Sequence, residues 1–546
     1  MHNCYARRGN RSGHHEVALR HDGLDTHLTD TRQAASPDNA LRSATTNIVA
    51  LVLAAVVASS VLVSSAPATA AASAAPATVR AAQPVPHWLP YWLKCLVLGK
   101  CDAAPTNPRY LTDDNGRSLI LHGINVSNAI KSDPTGMGWT EQGDLDRLAD
   151  DFGFNFVRWL IPWDVIEPEP GVIDDDYFAA LRERLDWLWA KGIHVVLDMH
   201  QDMYAEKLGG NGAPDWAVRT DGWPDWDFGG PWWLKYLSPS VIRAFSNFWQ
   251  EDGPHGDLQD HYEFAWTEVA RRVGDHPGVV GYDLMNEPYW GTKGIQFEST
   301  ELSPFYQRMI NAIREVDADN WIFYEPIAFT VANFGLPSGL TPLDDPRPGE
   351  DRLAYFPHFY PLLAHEGLGY DGPIWAEIWA ENRVKEVNRQ GAPLLIGEWG
   401  SPNQPGIDDL IIDTANMADR ATSGWTYWSY DRCCWFLDGN GGEQPFVKYL
   451  VRVFAREIAG TPVSHDFDPV TREFTLVFDD TAGITGPTRI YIPESRHYPD
   501  GWTLDVADPH GTWSSSWDAD TEILEITTDS SLGRHEIRIS PAADGD

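Results

Sequence analysis

The sequence predicts an α/β chain: a (β/α)8 TIM barrel followed by a small C-terminal antiparallel β-sandwich. Three observations point there. From about residue 107 onward, short apolar or β-branched runs alternate with longer helical patterns, as parallel βα units require. Eight such runs can be counted, the number that closes a barrel. After about Thr461 the texture changes to short alternating strands separated by turn residues, such as EFTLVF, RIYIP, ILEITT and HEIRI.

Taken in chain order, residues 1–75 read as a leader and signal peptide that is removed. A polar, basic stretch leads into the uncharged run Asn47 to Val63, followed by an Ala/Ser/Pro-rich segment with many A-x-A cleavage choices. That run is shorter than the roughly 20 residues of a spanning helix, so export to the extracellular space is expected rather than anchoring. Residues 76–106 form a linker carrying Cys95 and Cys101. With Cys433 and Cys434 they make an even set suited to disulfides in an oxidising compartment, either as two local bridges or as crossed pairs. None has the spacing of a zinc site.

The barrel is expected over 107–455. Its eight runs are 118–125, 156–160, 194–200, 279–287, 321–325, 353–360, 394–399 and 424–430. The clearest helix lies between the third run and its predecessor: Tyr177 to Lys191, with Phe178, Leu181, Leu185, Leu188 and Trp189 at helical spacing and Gly192 as its stop. The segment from Gln201 to His261 is too long for an ordinary connection and is rich in Trp, Gly, Pro and Asp, the composition of a binding wall. The sandwich is expected over 456–546.

Bulk properties narrow the partners. The 546 residues include 25 Trp and are 43% hydrophobic, enough to bury two cores. The formal net charge is −38, from 79 acidic against 41 basic residues, which would repel a polyphosphate backbone and makes nucleic acid an unsuitable partner. A monomer is expected.

In a barrel of this kind the chemistry sits at the carboxyl ends of the strands. Those ends carry Asn125, Arg158, His200 with Asp202, Asn286 with Glu287, Glu325, His358 with Tyr360, Glu398, and Trp428. Cleaving a glycosidic bond requires one carboxylic acid to protonate the leaving oxygen and one carboxylate to attack or assist at the anomeric carbon. Glu287 and Glu398 fit that pair. Asn286 precedes the first and can bond the hydroxyl beside the reacting carbon; a cation such as Arg158 would keep the second ionised. His358 and Tyr360, two apart in an extended segment, share a face, which lets Tyr360 orient the nucleophile. Trp428 offers a stacking surface for a sugar ring. Glu325 is a weaker strand-end acid, being followed by Pro326 and lacking a partner motif. Neither a nucleotide-binding glycine loop nor a metal-ligand cluster is visible, so activity without cofactor or metal is expected.

Taken together, GFNFVRWLIPWDVIEPEPG, HVVLDMHQDMY, DLMNEPYW, YFPHFYP, IGEWG and GWTYWSYD resemble the strand-end blocks of glycoside hydrolase family 5, and more narrowly of the microbial endoglycoceramidases. The resemblance covers roughly Tyr110 to Pro541, and the DMHQD block followed by an aromatic is its most telling part. It implies a retaining mechanism with Glu287 as acid/base and Glu398 as nucleophile. It further implies that Lys131, His200, Asp202, Asn286, Tyr360 and Trp428 hold the first sugars, with a hydrophobic groove for ceramide and transient contact with a membrane or micelle surface. GEWG stands where many relatives have GEFG, and the Trp-rich segment after Met203 and the Cys433-Cys434 pair have no counterpart in the pattern.

The leading expectation is hydrolysis between the glycan and the ceramide of glycosphingolipids. A galactosylceramide-preferring relative and a β-glucanase or β-mannanase are the enzymatic alternatives, the last differing in a cleft that continues with spaced aromatics and carboxamides. A sugar- or lipid-binding protein with an inactive barrel is the alternative from another class, and the intact pair Glu287 and Glu398 argues against it.

Overall fold

The computed structural model describes residues 109–542 apart from 252, 295 and 434. The leader, the signal peptide, the linker with Cys95 and Cys101, and Cys434 lie outside the described residues, so the pairing of Cys433 stays an expectation.

All eight apolar runs contribute strands to one parallel sheet. After two short strands, β1 (Leu111–Thr112) and β2 (Ser118–Leu119), come β3 (Leu121–Val126), β4 (Phe156–Leu160), β5 (His194–Asp198), β6 (Val279–Asp283), β7 (Trp321–Tyr324), β8 (Leu353–Tyr355), β9 (Ile396–Trp399) and β10 (Gly424–Tyr427). The order is β8-β7-β6-β5-β4-β3-β10-β9. Parallel bridges Tyr355 to Leu394 and Phe359 to Trp399 join its two ends and close the barrel. Every position of β3, β4, β7, β8, β9 and β10 is buried, which is why these runs carry no polar/apolar alternation. At Gly123 a β-carbon would stand 1.9 Å from the Phe156 carbonyl oxygen, so only glycine lets β3 and β4 approach this closely.

The helix expected at Tyr177 to Lys191 spans Asp175–Ala190. The Tyr177 amide donates to the side chain of Asp174 at 3.0 Å, which caps its first turn, and Gly192 follows with φ 70°. Phe178, Leu181, Leu185 and Leu188 are buried as the periodicity requires, at roughly 1.5–3 kcal/mol for each large side chain. Trp189 departs from that reading: it is 40% exposed, because the apolar stripe is narrower than one residue either side of Leu188.

The run expected at 118–125 divides at Ile120. Its first half is β2, which pairs antiparallel with β11 (Phe454–Ile458), Leu119 opposite Glu457; only the second half enters the barrel. The remaining strands are β12 (Thr461–Asp468), β13 (Glu473–Asp479), β14 (Thr488–Tyr491), β15 (Trp502–Val506), β16 (Trp513–Asp518), β17 (Ile523–Thr528) and β18 (Arg534–Pro541). They form antiparallel sheets β1-β2-β11-β14-β17-β16 and β12-β13-β18-β15, the expected sandwich, with an N-terminal hairpin added to one sheet. Alternation sets the register: Phe474, Leu476 and Phe478 of β13 are buried, and Leu476 faces Ile537 of β18.

Within 201–261 the chain makes three short 3-10 turns, Glu206–Leu208, Asp215–Ala217 and Trp232–Leu237, then the helix Pro239–Phe248. This is an ordered insertion on the carboxyl side of β5.

Candidate active site

Arg158 organises the site. It projects from the middle of β4 into the barrel and has no exposed surface. A guanidinium there, cut off from water, survives only if its donors are used. Its Nη1 donates to Glu398 Oε1 at 2.6 Å and to Asn125 Oδ1 at 3.1 Å. Nη2 reaches Glu325 Oε1 at 2.9 Å, Asn286 Oδ1 at 3.0 Å and Asp198 Oδ1 at 3.0 Å, while Nε donates to Asp283 Oδ2 at 2.9 Å. One planar fork on β4 thus ties together five other strands, β3, β5, β6, β7 and β9.

Glu398 ends β9 and is held from both sides. Tyr360 donates its hydroxyl to Oε2 at 3.0 Å, and His358 Nδ1 stands 3.6 Å from the same oxygen. Burial by itself would raise this carboxyl, but the charges of His358 and Arg158, and then of His200 and Lys131, outweigh it and hold the group below its ordinary value. Glu398 is a buried carboxylate kept ionised.

Glu287 follows β6 in different surroundings. Its backbone takes φ 43°, in the left-handed region, a strain of about 1–3 kcal/mol for a residue with a side chain. Two contacts fix it: its amide donates to Glu325 Oε2 at 2.9 Å, and its carbonyl accepts from Gln201 Nε2 at 3.0 Å. His358 Nδ1 lies 2.8 Å from Glu287 Oε1, and its Nε2 lies 3.1 Å from Glu325 Oε1. Burial would lower the His358 imidazole; the charges of Glu325 and Glu398, with the bonds to Glu287 and Glu325, raise it well above the usual range. One oxygen each of Glu287 and Glu398, with a nitrogen of His358, lie within 4.8 Å of one another.

A second cluster continues the floor of the site. Lys131 Nζ pairs with Asp202 Oδ2 at 2.7 Å and sits over the Trp428 ring, 4.2 Å from its centroid. The His200 ring stacks on Trp428 at 5.8 Å and places Nδ1 2.6 Å from Asp198 Oδ2. Asn286 Nδ2 donates to the Gln201 carbonyl at 2.9 Å. Burial opposes ionisation of Asp202, but Lys131 and His200 hold its carboxyl far below the ordinary value.

The ten residues read from the sequence, Lys131, Arg158, His200, Asp202, Asn286, Glu287, His358, Tyr360, Glu398 and Trp428, therefore form one connected set of contacts at the carboxyl ends of the strands. Five others belong to it, the first being the strand-end Asn125, which accepts from Arg158 Nη1. Glu325 is a full member, bonded to Arg158, His358 and the Glu287 amide, because its partners come from strands remote in sequence. Asp198 and Asp283 carry a fainter signal in the sequence, an acid inside an otherwise apolar run, which demands a cation in the fold. Gln201, inside the DMHQD block, clamps Asn286 and Glu287. Although the sequence shows no metal-ligand cluster, folding gathers, among the described residues, two groups of three ligand-capable side chains, Glu287 with His358 and Glu398, and Asp198 with Asp283 and Glu325. Charge in the second is met by Arg158, while the Asp283 carboxyl is pushed well up by burial and then by Glu325.

A family model described as Cellulase (glycosyl hydrolase family 5) matches residues 112–433, and one described as the glycoside hydrolase family 5 C-terminal domain matches residues 452–539. The chain is 31% identical over 420 residues to Endoglycoceramidase I of Rhodococcus hoagii (strain 103S), covering 73% of this chain and 81% of that protein. It is 25% identical over 462 residues to an endoglycoceramidase of Hydra vulgaris, covering 75% of this chain and 85% of that protein. Among solved structures, Endo-glycoceramidase II from Rhodococcus sp. in its ganglioside GM3 complex is 38% identical, with a TM-score of 0.75 over 80% of this chain and 100% of that one. On both domains and on the acid pair they frame, the chain belongs to glycoside hydrolase family 5 and is a glycoside hydrolase.

Proposed function

We propose that the chain is a secreted, retaining β-glycosidase that hydrolyses the bond between the glycan and the ceramide of glycosphingolipids. The observation that carries this reading is the pair Glu287 and Glu398: oxygens within 4.8 Å of each other, in unlike surroundings. Retaining enzymes space their carboxyl groups at about 5–5.5 Å, whereas inverting enzymes leave about 6.5–9.5 Å for a water. The relatives named endoglycoceramidase and the ganglioside GM3 complex support the substrate class. The uncharged run before the mature chain supports export.

In the first step Glu398, freed of any proton by Arg158 and His358, attacks the anomeric carbon. Glu287 delivers a proton to the departing ceramide oxygen, and a glycosyl ester of Glu398 remains. In the second step the Glu287 carboxylate takes a proton from water, whose oxygen attacks the same carbon; the C–O bond to Glu398 breaks and the free glycan leaves. Asn286, fixed by Arg158 and the Gln201 carbonyl, is placed to bond the neighbouring hydroxyl as charge develops on the ring. Lys131, Asp202, His200 and Trp428 offer donors, acceptors and a ring face for the first sugar.

The reading is tested by incubating the protein with labelled ganglioside, lactosylceramide, galactosylceramide and cello-oligosaccharide. Intact ceramide with an intact glycan is expected from the glycolipids. Shortened cello-oligosaccharide without ceramide release would replace this reading with a polysaccharide hydrolase.

A further inference from the structure

Asp431 holds a buried carboxylate just outside the reaction centre. It lies three residues beyond Trp428 on the chain leaving β10 and is 8% exposed. Its Oδ2 accepts the Asn128 amide at 2.8 Å and the Ser429 hydroxyl at 2.6 Å, and its Oδ1 accepts the Trp139 indole N–H at 3.2 Å. The Ala129 amide bonds to it as well. A carboxylate cut off from water needs such donors, and three of the four belong to one loop, from Asn128 to Trp139.

That loop begins with a 3-10 turn, Asn128–Ser132, whose first amides have no acceptor inside the turn. Ser127 stands where a capping residue ordinarily does, yet its hydroxyl makes no capping bond and is buried without a partner. Asp431 caps the turn instead, from the end of β10, the strand paired with β3. At the far end of the loop it holds Trp139, whose ring stacks on Tyr430 at 5.5 Å and is covered by Arg432 at 4.3 Å. Between these two anchors the loop packs little: only Ile130, Gly136 and Met137 are buried.

Lys131 sits inside the turn. Its Nζ meets Asp202 Oδ2 at 2.7 Å and lies 4.2 Å from the centroid of the Trp428 ring. A lysine stem is flexible, so where its ammonium points depends on how firmly its backbone is held. We infer that Asp431 is a positioning residue: by capping the 3-10 turn it fixes Lys131 over Trp428 and against Asp202, and so sets how tightly the first sugar is held. The inference rests on the reading that Lys131 and Trp428 take that sugar. Trp428 and Asp431 leave the same strand, so one short stretch of chain aligns the ring face with the cation lying on it.

A double-mutant cycle, read by steady-state kinetics on a water-soluble aryl β-lactoside that carries no ceramide, tests this. Asp431→Ala is expected to raise KM roughly tenfold and to leave kcat near the parental value, and Lys131→Ala to raise KM by as much or more. With both changes together KM should match that of Lys131→Ala alone, because no ammonium is left to position. Amide hydrogen exchange in Asp431→Ala should quicken over residues 128–132 and keep its parental rate in the barrel strands. Should Asp431→Ala fail to fold, Asp431→Asn enters the same cycle; it keeps one oxygen for the amides and should raise KM less, again only where Lys131 is present. Effects on KM that multiply in the double variant, a loss confined to kcat, or an unchanged KM in either single variant would overturn the inference. A chain that obeys the cycle but releases no ceramide from any glycolipid keeps the positioning role and loses the proposed substrate. If only cello-oligosaccharide is cleaved, that substrate is lost too, and the same cycle run on the oligosaccharide decides the role of Asp431. Ceramide release together with multiplying effects does the reverse.

Discussion

Arg158 Nη1 meets Glu398 Oε1 at 2.6 Å, the guanidinium fully buried and the carboxylate nearly so, and the same contact fixes the proposed nucleophile and neutralises part of the barrel floor. Catalysis and stability are joined at this point. Replacing Arg158 with Met leaves Asp198, Asp283, Glu325 and Glu398 facing one another without their shared cation. Breaking a buried pair in this way costs about 3–5 kcal/mol, to be read from the urea midpoint. Arg158→Lys is expected to recover only part of that, since a point charge cannot serve six acceptors spread around a plane.

The division of labour between the two acids is separable with azide. Removing the side chain of Glu287 is expected to lower kcat/KM for glycolipid by roughly 10²–10⁴, and less for an aryl glycoside whose leaving group needs no proton. Azide should restore turnover in Glu287→Ala and give a β-glycosyl azide, because Glu398 still forms the intermediate. In Glu398→Ala the azide takes the place of the nucleophile and the product is the α-anomer. Nuclear magnetic resonance of the products decides; an α-azide from the Glu287 variant would reverse the assignments.

Much of this site is legible in the sequence because a parallel barrel writes itself plainly: buried strands are unbroken apolar runs, and whatever is polar at their ends stands out. Arg158, Glu287 and Glu398 are visible on that ground. What the sequence hides is pairing across distance. Asp198 and Asp283 look like interruptions of VVLDMH and GYDLMNE until β4 places a guanidinium between them. Glu325 looks weak beside Pro326 because its three partners come from β4, β6 and the segment after β8. The same limit explains the divided run at Ile120, whose first half finds its partner in β11 more than 330 residues away.

Tyr360 offers a test without loss of volume. Phe at this position keeps the buried ring and deletes the hydroxyl that Glu398 accepts at 3.0 Å. Hydrogen bonds to a charged group contribute about 1.5–3 kcal/mol, so kcat should fall roughly 10–100-fold. Thermal stability should change little, since the partner keeps Arg158. An unchanged kcat would mean that the phenol only packs.

The stability of the protein should depend on pH on both flanks of neutrality. His358 is raised well above 6.5 in the fold, so its contribution is complete below pH 6.5 and is lost as pH climbs through the folded value. Glu398 is depressed below 4.5, so its contribution is present above pH 4.5 and is lost as pH falls through its own folded value. A plot of Tm against pH should show a plateau between these limits. His358→Gln should flatten the alkaline flank and leave the acid flank in place; a parallel fall of the whole curve would assign the flank to another group.

Glu325 touches Glu287, His358 and Arg158 at once, and its variant separates charge from shape. It accepts the Glu287 amide at 2.9 Å, His358 Nε2 at 3.1 Å and Arg158 Nη2 at 2.9 Å. Gln keeps an oxygen to accept the Glu287 amide, so the strained backbone at φ 43° should persist and KM should stay near the parental value. The negative charge that, first among the charges, holds the His358 proton is gone. His358 should then release its proton at lower pH, and the alkaline limb of kcat/KM should move toward neutrality. Glu325→Ala removes the amide acceptor as well and should lower kcat at every pH, in addition to moving the limb. If the Gln variant shows the parental pH profile with a uniformly lower rate, Glu325 acts by shape alone and its charge has no part in the relay.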